Sequence, residues 1–125
     1  IKAIRIPTQI HCADEMSKNV LSQLLSHPQA EGFLLDARVE GVAGGTGSKF
    51  DWDALAKILR EEQMAKLFEK QSLIIAGGLQ ASNALACATM FNPHALDVSS
   101  GLETSPGEKS REKIQAFMDS VSTLR

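Results

Sequence analysis

Leu73-Ile74-Ile75-Ala76-Gly77-Gly78 is the stretch that decides the fold, because it is a continuous apolar run that stops at two glycines. Strands that are covered on both faces have such runs, whereas half-exposed strands alternate apolar and polar residues. The glycines mark the end of the strand and leave the following backbone accessible. The stretch therefore predicts a strand of a parallel sheet, followed by a loop with little side-chain cover.

The same unit of a strand followed by a helix repeats on both sides of this stretch. Strands are predicted at 1–6, 32–36, 73–76 and 95–98, and helices at 14–26, from 52 with a break or extension through 61–70, 82–90 and 110–121. The predicted helix caps are Asp51 or Asp53, Ser82 or Asn83, and Ser110. Units of about 30 residues are typical of parallel strands joined by crossover helices. They fit a small open α/β sheet or half of a (β/α)8 barrel of about 250 residues.

Length and charge restrict the classes of function. The chain has 125 residues, and its 13 Lys and Arg against 15 Asp and Glu give a net charge of −2. One domain is expected, with no general case for nucleic-acid binding. No apolar run reaches the roughly 20 residues of a membrane span. Because Ile1 already belongs to a predicted strand, we expect further residues upstream.

Cysteine and histidine show no metal-binding pattern. The two cysteines, Cys12 and Cys87, are too few for a disulfide framework and fit a reduced, cytoplasmic chain. The three histidines have no metal-ligand spacing with them. Cys87 stands between alanines on a predicted helix, which indicates a small core residue.

Polar and glycine-rich residues gather just after the predicted strands. Asp36 follows the second strand, Gly77-Gly78 the third and Ser99-Ser100-Gly101 the fourth, while Gly44–Gly47 lies in the loop after Asp36. This edge holds the active site in barrels and in open parallel sheets, and the last two strand–helix loops of a barrel often bind phosphate. A phosphorylated ligand is predicted. Taken singly, a Gly-Gly pair is more often a tight turn, and either Asp36 or Asp97 could be structural.

A linked set of motifs extends this reading over the whole chain. The set comprises Leu34-Leu35-Asp36, Gly44-Gly45-Thr46-Gly47, Phe50-Asp51-Trp52, Ala76-Gly77-Gly78-Leu79 with Asn83, and Asp97-Val98-Ser99-Ser100-Gly101 with Glu103. In these motifs and their gaps the chain resembles the phosphoribosylanthranilate isomerase family of tryptophan biosynthesis. The resemblance corresponds to strands five to eight of that family. It implies that residues 1–125 are the C-terminal half of one (β/α)8 TIM-barrel domain.

The resemblance also implies a reaction and its residues. The family converts N-(5-phospho-β-D-ribosyl)anthranilate to 1-(2-carboxyphenylamino)-1-deoxy-D-ribulose 5-phosphate by an Amadori rearrangement, without cofactor or metal. Asp36 would be the general acid, and Asp97 would bind substrate near its amine or sugar hydroxyls. The phosphate would be held by main-chain amides of Gly45, Thr46, Gly47, Gly78, Ser99, Ser100 and Gly101.

One part of the family's machinery is absent from the sequence. The general base of the family is a cysteine on its first barrel strand, in a Lys-x-Cys-Gly setting that does not occur here, and Cys12 is not given this role. The expected partner is therefore the N-terminal half of the barrel, in the same or a second chain. Two alternatives remain: a phosphate-binding half-barrel without turnover, and a related sugar-phosphate isomerase of histidine biosynthesis. The Gly44–Trp52 run argues against the latter.

Overall fold

Strands and helices alternate along the chain in a computed structural model that describes residues 1–6, 13–36 and 52–124. The strands are β1 (Lys2–Arg5), β2 (Gly32–Asp36), β3 (Ser72–Ala76), β4 (Ala95–Asp97), β5 (Glu103–Ser105) and β6 (Glu108–Lys109). The helices are α1 (Ala13–Leu25), α2 (Trp52–Leu59), α3 (Glu62–Phe68), α4 (Ala81–Phe91) and α5 (Arg111–Val121), with short 3-10 turns at Ser100–Leu102 and Ser122–Leu124. Of the helices in these ranges, none combines the length and apolarity needed to cross a bilayer.

The main sheet has four parallel strands in the order β1-β2-β3-β4, which is also their order along the chain. Its register aligns the carboxyl ends of the strands: Arg5 lies opposite Asp36, Asp36 opposite Ala76, and Ala76 opposite Asp97. These four residues, called the edge row below, therefore share one edge and one face of the sheet. The predicted α/β fold with a parallel sheet is confirmed.

The helices cover one face of this sheet. Ile4, Leu35 and Ile75 form the row next to the edge row, and all are buried in the core. Buried helix residues complete that core: Met16, Val20, Leu24, Leu55, Ile58, Met64, Ala84, Cys87, Phe91 and Phe117. From the continuous apolar runs, both faces of the sheet were predicted to be buried. Among the described residues, helices bury only one of the two faces.

The opposite face carries apolar residues outside the core. Ala3, Leu34, Ile74 and Ala95 align in a row across the sheet, called the open row below. Leu34 and Ile74 are half-buried, whereas Ala3 and Ala95 at the sheet margins are exposed. Strands that expose one face to water usually place polar residues there, so this row is unusually apolar for an exposed face.

The predicted cap of α4 differs from the structure, and one of the two alternatives for the cap of α2 is excluded. Helix α4 begins at Ala81, and Gln80 is its N-cap, one half of a reciprocal pair with Asn83. Asn83 is thus the third residue of the helix rather than its cap. Asp53 lies inside α2 and is not its cap, while the alternative, Asp51, lies outside the described residues. Ser110 is confirmed as the cap of α5, since its Oγ accepts a hydrogen bond from the Lys113 backbone N–H at 3.3 Å.

The helix predicted from residue 52 onward divides into α2 and α3. Glu61 separates them with an extended backbone (φ −58°, ψ 140°), which interrupts helical hydrogen bonding. Its carboxylate accepts a hydrogen bond from Ser17 Oγ on α1 at 2.9 Å. This contact ties the break to the neighbouring helix.

A short antiparallel hairpin, β5–β6, follows the last parallel strand and was not predicted. Glu103 lies opposite Lys109, and Gly107 supplies a positive φ of 84° in the turn. The two strands span three and two residues, too short to show an alternating pattern. The hairpin lies between the Ser99–Gly101 segment and helix α5, so it can influence that segment directly.

Candidate active site

Two carboxylates lie at the carboxyl edge of the sheet. Asp36 ends β2 and Asp97 ends β4, and Ala76 of β3 lies between them in register. With neighbouring strands about 4.8 Å apart, their Cα atoms are separated by roughly 10 Å. Asp36 is half-buried and Asp97 is exposed. Ala76, which lies between them, contributes only a methyl group and is buried.

The Gly77-Gly78 loop leaves its backbone open beside these carboxylates. Both glycines have positive φ values, 91° and 66°, which L side chains rarely adopt. A Cβ placed on Gly78 would meet no atom within 4 Å. The backbone at Gly78 therefore has open space beside it, where an anion could approach main-chain N–H groups.

Asn83 holds the glycine loop in shape. Its Oδ1 accepts a hydrogen bond from the Gln80 backbone N–H at 2.9 Å, and its Nδ2 donates to the Gly78 carbonyl at 3.0 Å. The single side chain thus bridges both ends of the turn that leads into α4. Because the Gly78 carbonyl is held, the Gly78–Leu79 peptide is fixed, and with it the direction of the Leu79 N–H.

We expect Asn83→Ala to destabilise the intact protein by about 1–2 kcal/mol, since two backbone groups lose their partner. Asn83→Asp keeps the acceptor for the Gln80 N–H but removes the donor to the Gly78 carbonyl, so it should fall between Asn83→Ala and the parent. Urea unfolding midpoints measure both. Equal midpoints for the parent and Asn83→Ala would show that the loop holds its shape without this side chain.

The Ser99–Gly101 segment packs against the glycine loop. A Cβ on Gly101 would lie 1.8 Å from the Leu79 carbonyl oxygen and 3.0 Å from the Leu79 carbonyl carbon. Only a glycine permits so close a backbone approach. The structure therefore brings two of the predicted phosphate-binding segments, at Gly78 and at Ser99–Gly101, next to each other. The third, comprising Gly45, Thr46 and Gly47, lies outside the described residues, as does Cys12.

Charged side chains of the hairpin border the Ser99–Gly101 segment. Lys109 Nζ lies 2.6 Å from Glu103 Oε1 and also donates to Ser99. The hydrogen bond from Lys109 is the main reason that the pKa of Glu103 is lowered, and a backbone hydrogen bond from Gly107 adds to it. Neither Glu103 nor Lys109 was predicted to have a role at the site. Their opposite charges in register across a hairpin were the available signal.

Cys87 is not available as a base. Its side chain is fully buried in the core, as predicted, and burial raises the pKa of its thiol to about 11. The thiol therefore stays protonated near neutral pH.

In the described ranges, no three His, Cys, Asp or Glu residues come together as a metal site would require.

Comparison with known proteins gives a single family. Residues 1–120 match the family model described as N-(5'phosphoribosyl)anthranilate (PRA) isomerase. N-(5'-phosphoribosyl)anthranilate isomerase of Pseudomonas fluorescens is 38% identical over 97% of this chain and 49% of its own length. The protein of the same name from Pseudomonas paraeruginosa is 40% identical over 82% of this chain and 44% of its own. The chain thus spans about half the length of the curated relatives it matches.

Solved structures give the same result. Phosphoribosyl anthranilate isomerase from Thermococcus kodakaraensis matches with a TM-score of 0.67 and 29% identity, over 96% of this chain and 50% of that one. The enzyme from Thermotoga maritima matches with a TM-score of 0.69 and 26% identity, over 98% of this chain and 51% of that one.

Proposed function

Because the chain belongs to the N-(5'-phosphoribosyl)anthranilate isomerase family, we propose that it supplies the general acid and the phosphate site of such an isomerase in tryptophan biosynthesis. The reaction is the Amadori rearrangement of N-(5-phospho-β-D-ribosyl)anthranilate to 1-(2-carboxyphenylamino)-1-deoxy-D-ribulose 5-phosphate. One observation carries the proposal: the register places Asp36 and Asp97 on one edge of the sheet. The contacting loops at Gly78 and Gly101 follow the last two strands at that edge.

Residues 1–125 act in this proposal as the C-terminal half of a (β/α)8 barrel domain. The strands lie in chain order, as they would in a barrel, and the open row presents apolar side chains on the face that would become the barrel interior. An N-terminal half, in the same or a second chain, would cover this row and pair with β1 and β4. The low cysteine count supports a cytoplasmic setting.

Asp36 is the proposed general acid. Its proton goes to the furanose ring oxygen, so the ring opens and the nitrogen lone pair forms an iminium with C1. A base then removes the C2 proton, and the resulting enolamine tautomerises to the ketone. The half-buried position of Asp36 at the strand end suits an acid that meets a bound sugar. The base is proposed to come from the other half, since the resemblance puts the family's cysteine on the first barrel strand, and the Cys87 thiol is buried and protonated.

Asp97 is proposed to bind the substrate amine or sugar hydroxyls across the same edge. Its carboxylate lies two strands from Asp36, on the same face of the sheet. A sugar ring between the two would contact both. Neither the ring opening nor the isomerisation requires a metal or an organic cofactor, since both are driven by proton transfers.

The phosphate is proposed to bind main-chain N–H groups of Gly78, Ser99, Ser100 and Gly101. The Gly45, Thr46 and Gly47 amides are proposed to complete the site. Neutral backbone donors held in fixed directions bind an anion without a long flexible side chain. Interactions with the phosphate, remote from C1 and C2, can then help to orient the reacting centre.

A second candidate is a phosphate-binding half-barrel without turnover. It is favoured by the half-length match and by the burial of Cys87, which removes the described cysteine as a base. The two candidates differ in whether the other half is supplied when the protein acts.

The test compares the chain alone with the chain co-expressed with the N-terminal half of a homologous isomerase. We expect substrate fluorescence to fall on turnover only in the combined sample, at least about 100-fold faster than with the chain alone. Inorganic phosphate should inhibit this turnover competitively. A correctly assembled sample that binds phosphate but does not turn over would favour the second candidate. A sample with neither property would refute both.

A further inference from the structure

Lys109 ties the hairpin to the Ser99–Gly101 segment through every donor of its ammonium group. Nζ donates to the Ser99 carbonyl at 3.0 Å, to Ser99 Oγ at 3.2 Å and to Glu103 Oε1 at 2.6 Å. An ammonium has three N–H donors, so this geometry uses all of them. The contacts direct Lys109 to one point of the backbone, the peptide bond that follows Ser99.

That peptide bond links the Lys109 contact to a proposed phosphate donor. The Ser99 carbonyl also accepts a hydrogen bond from the Leu102 N–H at 3.0 Å, so two donors fix its direction. In a planar trans peptide, the carbonyl of Ser99 and the N–H of Ser100 point in opposite directions. Holding the Ser99 carbonyl toward Lys109 therefore turns the Ser100 N–H away from the hairpin.

Glu103 keeps the ammonium in this place. Its side chain is only 16% exposed, and its backbone carbonyl accepts a hydrogen bond from Lys113 Nζ of helix α5. The carboxylate balances the charge of Lys109 on the hairpin side. The ammonium of Lys109 is thereby held against Ser99 by Glu103, its cross-strand partner in the β5–β6 hairpin.

We propose that Lys109 is a positioning residue that aims the Ser100 N–H at the substrate phosphate. This inference rests on the proposed function, since it assigns a role at the same phosphate site. Lys109 acts through the Ser99–Ser100 peptide and is not itself a phosphate ligand. Its loss should weaken phosphate binding more than it slows the chemical step.

The test is Lys109→Met in the assembled enzyme with both barrel halves present. We expect KM for the phosphorylated substrate and Ki for inorganic phosphate to rise together by about 10-fold, the effect of losing one well-oriented hydrogen bond to a charged group. We expect kcat to change by less than about 3-fold. Lys109→Arg should restore part of the affinity, because a guanidinium can still donate to the Ser99 carbonyl.

Lys66→Met is the matched control. Lys66 forms an exposed ion pair with Glu62 on α3, at the same 2.6 Å distance as the Lys109–Glu103 pair. Replacing Lys66 by Met should therefore leave KM and Ki unchanged. If the parent turns over and binds phosphate but Lys109→Met keeps both constants, the positioning role is refuted. A loss confined to thermal stability would refute it as well. A parent with neither turnover nor phosphate inhibition would instead refute the proposed function.

Discussion

Asp36→Asn should lower kcat/KM of the assembled enzyme by about 100- to 10,000-fold, the usual contribution of a positioned general acid. Asparagine has nearly the same shape as aspartate but has no acidic proton to give to the ring oxygen. The affinity for inorganic phosphate should stay unchanged, because Asp36 lies at the end of β2 and the proposed phosphate loops follow β3 and β4.

Asp119→Asn is the control for this variant. Asp119 is an exposed carboxylate on α5 that accepts a hydrogen bond from Gln115 at 2.8 Å, and its loss should not change turnover. Substrate fluorescence gives the rates, and competition with inorganic phosphate gives the affinity. Turnover at the parental rate in Asp36→Asn would show that another residue is the general acid. The proposed phosphate site would not be affected by that result.

Gly101→Ala should disrupt the phosphate site more than any other glycine-to-alanine substitution on the described loops. The new Cβ would lie 1.8 Å from the Leu79 carbonyl oxygen, a backbone atom that a side-chain rotation cannot move aside. The Ser99–Gly101 segment would have to separate from the Gly78 loop. We expect a stability loss of about 1–3 kcal/mol, the usual cost of overpacking. The affinity for inorganic phosphate should fall by more than about 10-fold, since loss of a hydrogen bond to a charged group alone costs about this much.

Gly107→Ala separates a steric clash from the loss of a glycine. Gly107 has a positive φ of 84°, and its Cβ would meet nothing within 4 Å. This variant should therefore lose about 1 kcal/mol of stability from backbone strain. Its phosphate affinity should fall less than that of Gly101→Ala, because Gly107 lies in the hairpin turn and not in a proposed phosphate loop. Urea unfolding and phosphate inhibition measure both variants. If Gly101→Ala bound phosphate as tightly as Gly107→Ala, contact between the two loops would not matter for the site.

The strands could be predicted because their signal is local. Apolar runs such as 73–76 end at glycines or acids, and the parallel arrangement follows from the alternation of strands and helices. The same order places Asp36 and Asp97 at one edge, as the register confirms. Asp36 could be singled out because an apolar run ends at it, whereas Asp97 lies inside the predicted strand 95–98 and its site role came from the family resemblance.

Other features depend on contacts between distant segments. The start of α4 depends on the reciprocal bonding of Gln80 and Asn83, for which the sequence offered stronger caps nearby at Ser82 and Asn83. The β5–β6 hairpin is too short to show a period. The closeness of Gly101 to Leu79 and the reach of Lys109 to Ser99 are tertiary contacts, and composition gives no signal for either.

The open row has a thermodynamic consequence. Leu34 and Ile74 would gain further hydrophobic free energy if they were covered, so covering the open row would add to the stability of this fold. If the cover is a separate polypeptide, melting will depend on protein concentration through mass action. If the cover is joined in one chain, the same contacts become intramolecular, and dilution will leave the melting temperature where it is.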